Sequence, residues 1–213
     1  ASTYNQPMAT DGNKWNTAAV TTMNSMFYAA TSFNQDIGNW NTSLVTDMNY
    51  MLGGSTPFNQ DISSWDVNQV TNLANFLQGN TALLTANYDA LLIAWEDDDP
   101  IDGLSFHAGD ALYTPTQVDS GTTTSTSSDP PKLIQSGQNF DSTVSVGDIV
   151  VNTTDSKMTR VTAVDSATQL ALNNDIMASG ENFQIHSSNA AKAKERLVND
   201  HTWTIIDSLG TIT

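Results

Sequence analysis

A 25-residue sequence repeat constrains the fold of this chain more than any other feature. Its three copies run from Trp15 to about Leu84, and Trp15, Trp40 and Trp65 stand at the same place in successive copies. Repeats of about 20–50 residues are typical of architectures in which one unit cannot bury its apolar face alone and stacked neighbours share a core. The repeat therefore predicts a stacked, solenoid-like architecture for this part of the chain.

Apolar columns within the repeat indicate its core. A Val-Thr pair follows each Trp and suits a short strand, and the later apolar spacing fits one or two helical turns. We interpret the methionine and aromatic columns as packing positions and not as a cofactor site, because such side chains fill cores well. The predicted repeat core consists of Trp15, Trp40, Trp65, Val20, Val45, Val70, Met23, Met48, Leu73, Phe33 and Phe58.

The links between copies also repeat, as Phe-Asn-Gln-Asp-Ile at residues 33–37 and 58–62. The asparagine predicts a ladder of side chains bonded to turn backbone, since buried backbone groups need partners. Tyr-Asn-Gln-Pro-Met at residues 4–8 echoes this text, so residues 1–14 are interpreted as a degenerate first turn that begins to cap the repeats. Pairing of this segment with another subunit is the alternative.

The repeated motif resembles that of a known family. Trp-Asn-Thr-x-x-Val-Thr-x-Met-x-x-Met, followed by Phe-Asn-Gln-Asp-Ile-x-x-Trp, is similar to the 25-residue variant leucine-rich repeat of BspA-type bacterial surface proteins. The resemblance covers residues 15–114 and 190–213. It implies an α/β fold, a short leucine-rich-repeat-like solenoid, in a family of exported adhesins and uncharacterised proteins that share no catalytic residues.

Composition divides the rest of the chain. Residues 1–114 are predicted to hold the solenoid with its N-terminal cap segment, and the Thr/Ser/Pro-rich residues 115–131 a flexible linker. Residues 132–188 contain four or five short strand-like runs between turn residues, which predicts a small all-β domain, a barrel or a sandwich. Residues 189–213, a helix and a strand, complete the C-terminal cap, so that the β domain is inserted into this cap. The run from Gly147 to Asn152 resembles small β modules of phage structural proteins.

The net charge of −16, from 23 acidic and 7 basic side chains, argues against nucleic acid as a partner. Solubility explains this charge, and a surface for a cationic partner is the alternative. No stretch of 18 apolar residues occurs, so membrane insertion is not expected. Cysteine is absent, which excludes disulfides.

One acidic cluster has the composition of a metal site. Calcium takes six to eight oxygen ligands, and a cluster of carboxylates after a predicted helix could supply several. The spacing does not match a calcium-loop motif, and a solvated acidic loop is the alternative. The candidate calcium ligands are Glu96, Asp97, Asp98, Asp99 and Asp102.

The sequence contains no recognisable catalytic motif. Its three histidines, His107, His186 and His201, lie in different segments, and no nucleophile or dinucleotide signature occurs. Asp36 and Asp61 lie one repeat apart, a separation that a glycosidase could use. Their identical repeat position favours a role in a turn. A carbohydrate hydrolase is therefore only a third hypothesis.

We expect a non-enzymatic structural or adhesive protein that is displayed on a virion or a cell surface and acts in assembly or attachment. A phage capsid decoration or tail-attachment subunit is slightly favoured. The alternative is a secreted bacterial adhesin that binds a host protein or a glycan. The expected partner is a protein, or further copies of the same chain in a larger assembly.

Overall fold

The computed structural model describes residues 3–8, 15–114, 116–208 and 210–212, the last three by their backbone alone. The chain divides into two units: the first comprises Ala1–Tyr113 and Asp200–Thr211, and the second comprises Thr114–Asn199. The elements are α1 (Thr85–Asp97), β1 (Ser105–His107), β2 (Gln117–Thr122), β3 (Ser125–Ser128), β4 (Pro131–Ile134), α2 (Phe140–Thr143), β5 (Ile149–Asn152), β6 (Lys157–Ser166), β7 (Gln169–Leu172), β8 (Asn182–His186), α3 (Asn189–Asn199), β9 (Thr204–Asp207) and β10 (Gly210–Ile212).

Residues 15–84 contain neither a helix nor a strand; they form turns. A left-handed residue recurs in each copy, with φ of 55° at Ser25, 53° at Tyr50 and 57° at Asn75. Four residues later, φ is 54° at Ala29 and 71° at Gly54. Because an α-helix needs φ near −60°, these residues end each helical turn before it can continue.

Backbone hydrogen bonds join equivalent positions of successive copies, which we call layer 1 (residues 15–39), layer 2 (40–64) and layer 3 (65–84). The Met23 N–H donates to the Asp47 carbonyl oxygen at 2.8 Å, and the Met48 N–H donates to that of Asn72 at 2.9 Å. The only β pairing within these layers is a pair of parallel bridges, each one residue wide, from Thr22 to Asp47 and from Asp47 to Asn72.

The predicted α/β leucine-rich-repeat solenoid is therefore wrong. Its short strand at the Val-Thr columns is reduced to these isolated bridges, and its helical turns are interrupted by the left-handed residues. The regular secondary structure is mostly β, and its largest part is a seven-stranded antiparallel sheet in the second unit.

In the first unit, the layers are followed by α1 and by a sheet with strand order β1-β9-β10. Strand β1 pairs in parallel with β9, and the Leu77 N–H of layer 3 donates to the His107 carbonyl oxygen of β1 at 2.9 Å. The Tyr88 hydroxyl of α1 donates to Asp207 of β9 at 2.9 Å in a buried contact. Residues 200–207 therefore complete the core of the repeat-bearing unit.

In the second unit, the sheet order is β2-β8-β5-β6-β7-β4-β3. Residues 117–128, predicted to be linker, form β2 and β3, which are the two outer strands of this sheet. Strand β2 pairs with β8 and β3 pairs with β4, both antiparallel. The threonine-rich sequence thus forms strands because distant segments pair with it, and threonine has a high β-propensity.

Helix α3 was predicted to belong to the C-terminal cap of the repeats, but it lies in the second unit. Its Lys192 Nζ lies 3.5 Å from Asp148 Oδ1, and its Glu195 Oε1 lies 3.4 Å from the Arg160 Nε of β6. The Asn199 side chain donates to the Met158 carbonyl oxygen at 3.0 Å. These polar contacts fix the helix against the sheet. No helix in the described part of the chain is long and apolar enough to cross a membrane.

Gly109 lies two residues after His107, the β1 residue whose carbonyl oxygen accepts the Leu77 N–H of layer 3. Its φ is 67°. A Cβ atom there would overlap the Asn80 carbonyl oxygen and would lie 2.8 Å from the Leu77 carbonyl oxygen. We expect Gly109→Ala to lower the free energy of unfolding of the first unit by about 2–3 kcal/mol, because left-handed strain and overpacking add. Urea unfolding followed by tryptophan fluorescence measures this, since all five tryptophans lie in the first unit.

Gly79→Ala is the matched control for that variant. Gly79 also has a positive φ, of 76°, but its added Cβ would approach nothing closer than 3.9 Å. Only the conformational penalty of about 1 kcal/mol should remain. Equal losses in the two variants would contradict the steric argument.

Candidate attachment surface

Of the three repeat tryptophans, the one in layer 1 is exposed and the other two are buried. The exposed fraction of the side chain is 39% for Trp15, 3% for Trp40 and 1% for Trp65. The rings of Trp15 and Trp40 stack with their centroids 6.1 Å apart, so Trp15 covers Trp40. Among the described residues, no preceding layer covers Trp15.

A second column follows the same gradient. Met26 is 38% exposed, whereas its counterparts Met51 and Phe76 are fully buried. Tyr28 is also exposed and makes an edge contact with Tyr50 at a centroid separation of 5.4 Å. Trp15 and Met26 are thus exposed in layer 1, whereas their counterparts in layers 2 and 3 are buried.

Residues 4–8 supply half of a preceding layer. Tyr4 stacks on Phe33 at 6.4 Å, as Phe33 stacks on Phe58 at 6.0 Å. The Met8 carbonyl oxygen accepts a hydrogen bond from Trp40 Nε1 at 3.1 Å. Residues 4–8 therefore cover the part of layer 1 around Phe33 and leave the part around Trp15 uncovered. Residues 1, 2 and 9–14 of the predicted cap lie outside the described residues.

The predicted asparagine ladder is confirmed. Asn5 Oδ1 accepts the Asn34 N–H at 3.0 Å, and Asn34 Oδ1 accepts the Asn59 N–H at 2.8 Å. Asn59 Oδ1 then accepts the Leu84 N–H at 2.8 Å. Each asparagine thus satisfies a backbone donor of the next layer, and Asn5 occupies the equivalent place in residues 4–8.

The backbone of layer 1 presents hydrogen-bonding groups that are paired in the later layers. Carbonyl oxygens of layer 2 accept N–H groups of layer 1; for example, Asn49 accepts from Ser25 at 2.9 Å and Met51 accepts from Phe27 at 2.8 Å. Within the described residues, no backbone N–H bonds the corresponding carbonyl oxygens of layer 1. These four acceptors belong to Thr22, Asn24, Met26 and Tyr28.

A pocket of about 230 Å³ opens at this place. Its lining is mostly apolar, and the rings of Tyr4 and Trp15 contribute to its wall. We call this surface the open face and define it by the pocket residues and the neighbouring exposed ring: Tyr4, Met8, Trp15, Met26, Phe27, Ala30 and Tyr28.

The other end of the layers is closed. Phe76 of layer 3 packs against Trp95 of α1 at a centroid separation of 5.8 Å and against Phe106 of β1 at 6.2 Å. All three rings are fully buried. Among the residues that the structure describes, the apolar end of layer 3 is therefore covered, whereas that of layer 1 is partly exposed.

The acidic residues predicted to bind calcium do not converge. Asp98 lies near Asp66, and burial followed by the charge of Asp66 raises the pKa of its carboxyl group. Asp102 instead lies 3.1 Å from His201 Nδ1. In the part of the chain that the structure describes, no group of three or more His, Cys, Asp or Glu is arranged to hold a metal ion. Glu96, Asp97 and Asp99 remain at the end of α1 and in the turn that follows it.

The carboxylates considered for hydrolysis each act within their own turn. Asp36 Oδ1 accepts the Gly38 N–H and Asp61 Oδ1 accepts the Ser63 N–H, both at 2.9 Å. Such contacts, with an N–H two residues ahead, are typical of Asx turns. This geometry does not favour their use as an acid–base pair.

His186 is a buried histidine of the second unit. Burial, and then the positive charge of Lys194, lowers the pKa of its imidazole. An unfolded histidine titrates at about pH 6.5, so below that pH the unfolded state binds more protons than the folded state does. We therefore expect the stability contributed by neutral His186 to be present above about pH 6.5 and to be lost as the pH falls toward the lower folded pKa.

The comparison of wild type with His186→Gln isolates this contribution. Urea unfolding followed by circular dichroism measures the free energy of unfolding at about pH 7.5 and pH 5.5. The decrease between these two pH values should be larger in the wild type than in the variant. Equal losses would mean that His186 does not carry the effect.

Of the predicted repeat core, Trp15 is exposed and Val20 is half-buried, whereas the other nine residues are buried. Sequence reasoning treated the three tryptophans alike and did not single out Met26 or Tyr28. The signal was available, because residues 4–8 match only the linking motif of the repeat and not its Trp-led part.

The family model described as "Mycoplasma protein of unknown function, DUF285" matches residues 1–93. This match covers the three layers and most of α1, and it is consistent with the resemblance of the repeat to BspA-type surface proteins. No curated protein and no solved structure matches the chain.

Proposed function

We propose that the chain is a non-enzymatic structural or adhesive protein, displayed on the surface of a cell or a virion, that attaches to a partner through the open face. The single observation that carries this proposal is the burial gradient along the repeat columns. Trp15 and Met26 are more than one-third exposed, whereas their counterparts in layers 2 and 3 are buried.

The apolar character of the open face supports attachment. Four large apolar side chains that are more than one-third exposed lie on it together: Tyr4, Trp15, Met26 and Tyr28. Contiguous exposed apolar surface marks interaction sites in proteins, and aromatic residues and methionine are enriched in interface cores. A partner that covers this face would bury Trp15 and Met26, as their counterparts in layers 2 and 3 are already buried.

Display on a surface is supported by the repeat and by the match to residues 1–93. The resemblance to BspA-type surface proteins favours a bacterial cell surface. The acidic composition adds solubility in an exposed location, and it disfavours nucleic acid as the partner. Display on a virion is the second candidate; its support is the resemblance of residues 147–152 to phage structural modules.

The test has two parts. Antibodies raised against the folded chain should label intact cells or particles of the source without permeabilisation. Fluorescently labelled chain should also bind to those cells or particles, and the double variant Trp15→Ser/Met26→Ser should bind at least about tenfold less, since buried anchors at an interface contribute about 2 kcal/mol or more.

Leu44→Ser is the matched control for attachment, because Leu44 is a 52% exposed apolar residue of layer 2 that is not part of the open face. It should bind as the wild type does. Labelling only after permeabilisation would contradict surface display, and equal binding of all three proteins would contradict attachment through the open face.

An adhesin that binds a glycan is the second candidate for the partner class. Three of the four exposed residues of the open face are aromatic, and flat rings can pack against the apolar faces of sugars. Loss of attachment after glycosidase treatment of the target surface would favour this candidate. Loss after protease treatment would favour a protein partner.

A further inference from the structure

We propose that the occupant of the open face is a peptide segment of a partner protein, neutral or basic, that adds a preceding layer to the repeats. This inference rests on the proposed attachment function and names the chemistry of the partner. The segment donates backbone N–H groups to the four acceptors of layer 1 and places an apolar side chain in the pocket.

The register follows from the hydrogen bonds that already join the layers. In layers 1 and 2, the N–H groups at four alternate positions donate to carbonyl oxygens of the next layer. In layer 1 these donors are Met23, Ser25, Phe27 and Ala29, which bond Asp47, Asn49, Met51 and Gly53 at 2.7–2.9 Å. A preceding layer in the same register would bond the carbonyl oxygens of Thr22, Asn24, Met26 and Tyr28. Addition of a segment by main-chain hydrogen bonds, with specificity from side-chain pockets, is an established mode of peptide recognition.

The pocket gives this segment an anchor. In the existing layers, Phe27 packs on Phe33 with centroids 3.9 Å apart and on Trp40 at 5.9 Å. The pocket of about 230 Å³ lies between Tyr4, the counterpart of Phe33, and Trp15, the counterpart of Trp40. A phenylalanine or methionine of the added layer would therefore meet the same pair of neighbours that Phe27 meets one layer below.

Charge and polarity distinguish this occupant from a second copy of the chain. Two open faces brought together would set carbonyl oxygens against carbonyl oxygens and would leave the acceptors unpaired. Each copy also carries a net charge of −16, which disfavours self-association. The opposite end of the layers cannot serve as the partner surface, because α1 and β1 close it. A neutral or basic segment that presents N–H donors would pair the four carbonyl oxygens and would not be repelled by the negative charge of the chain.

The probe is a synthetic peptide with the sequence of residues 15–30, which is uncharged and already makes this layer contact within the protein. With a fluorophore at its N-terminus, fluorescence anisotropy measures its binding to the full chain. We expect saturable binding that the Trp15→Ser/Met26→Ser variant of the protein weakens at least about tenfold and Leu44→Ser leaves unchanged.

N-methylation of the peptide tests the register itself. Methylation of its amides at Ser25 and Phe27 removes two donors, each worth about 1 kcal/mol, and should weaken binding about 10- to 30-fold. Methylation at Thr21 is the matched control: the equivalent amide of layer 2, Thr46, donates to the preceding layer, so Thr21 of an added segment faces away from layer 1. Equal weakening by both modifications, or none by either, would overturn the register.

The remaining outcomes separate this inference from the proposed function. If the peptide does not bind but the chain attaches to cells or particles through the open face, the layer-addition inference fails and attachment stands. If sedimentation velocity detects concentration-dependent dimers that Trp15→Ser/Met26→Ser abolishes, the occupant is a second copy and the inference is overturned. If the peptide binds in register but antibodies label no intact surface, the proposed surface function fails and the inference stands.

Discussion

Trp65→Ala is expected to lower the free energy of unfolding of the first unit by about 3–5 kcal/mol, the usual cost of deleting a fully buried tryptophan. Trp65 is 1% exposed, and its Nε1 donates to the Ile37 carbonyl oxygen of layer 1 at 3.1 Å. The substitution removes this bond and leaves a cavity between layers 2 and 3. Urea unfolding followed by the fluorescence of the remaining tryptophans measures the loss.

Trp15→Ala is the matched control, because it changes the same residue at the same repeat position. Trp15 is 39% exposed and covers Trp40 from one side only, so we expect a loss of about 1 kcal/mol or less. Equal losses in the two variants would contradict the assignment of layer 1 as the uncovered end.

Asn80→Ala is expected to destabilise the first unit by a similar amount, about 3–5 kcal/mol. The Asn80 side chain is fully buried and donates to the carbonyl oxygens of Ser55 at 3.0 Å and Phe58 at 2.9 Å. Its Oδ1 accepts the N–H groups of Ala82 and Leu83. Alanine would leave the Phe58 carbonyl oxygen and the Ala82 and Leu83 N–H groups without this partner, whereas the Ser55 carbonyl oxygen keeps the Phe58 N–H. Each unsatisfied buried group costs about 1–3 kcal/mol.

Asn75→Ala controls for the loss of an asparagine in the same layer. Asn75 is half-buried, and its side chain makes one long contact, 3.4 Å, with Asn49 Oδ1. Its loss should lower stability by less than about 1 kcal/mol, although the left-handed φ of 57° at this position adds some strain for alanine. A loss as large as that of Asn80→Ala would mean that chain conformation, and not buried hydrogen bonding, sets the effect.

The contacts between layers could be predicted from the sequence, because they depend on columns of like residues. Asn34 and Asn59 stand at one repeat position, and their Oδ1 atoms accept the backbone N–H groups of Asn59 and Leu84 in the next layer. The similarity of residues 4–8 to residues 33–37 makes Tyr4 the counterpart of Phe33, and the two rings stack. Periodic side-chain identity is therefore a good guide to which residues meet.

The conformation of the backbone within a layer could not be predicted in the same way. Ser25 and Tyr50 are left-handed, although serine and tyrosine rarely adopt a positive φ. Local propensity does not predict this conformation at Ser25 and Tyr50; at the same repeat position, only Asn75 is of a residue type that often adopts it. The predicted helical turns and strands were therefore wrong, and with them the α/β solenoid.

Non-local pairing explains the errors in the second unit. Residues 117–128 have the composition of a linker, yet β2 pairs with β8 about 60 residues later in the chain. Helix α3 was assigned to the C-terminal cap of the repeats because residues 190–213 resemble the ending of the repeat family, but it lies in the second unit. In the structure, its Lys192 instead meets Asp148 within the second unit.

The open face was missed for a different reason. Trp15 and Met26 belong to columns that are buried in the other layers, and a column alone does not reveal which member lies at the end. Among the candidate calcium ligands, Asp98 lies near Asp66, whereas Asp102 lies beside His201.

Hydroxyl-radical footprinting of the three repeat tryptophans tests the central claim most directly. Brief exposure of the folded chain to radicals, followed by mass spectrometry of its peptides, measures the oxidation of Trp15, Trp40 and Trp65 separately. The predicted result is rapid oxidation of Trp15, with Trp40 and Trp65 protected, and protection of Trp15 when the peptide of residues 15–30 is bound. Comparable oxidation of all three tryptophans, or protection of Trp15 in the free chain, would contradict an attachment surface at the uncovered first layer.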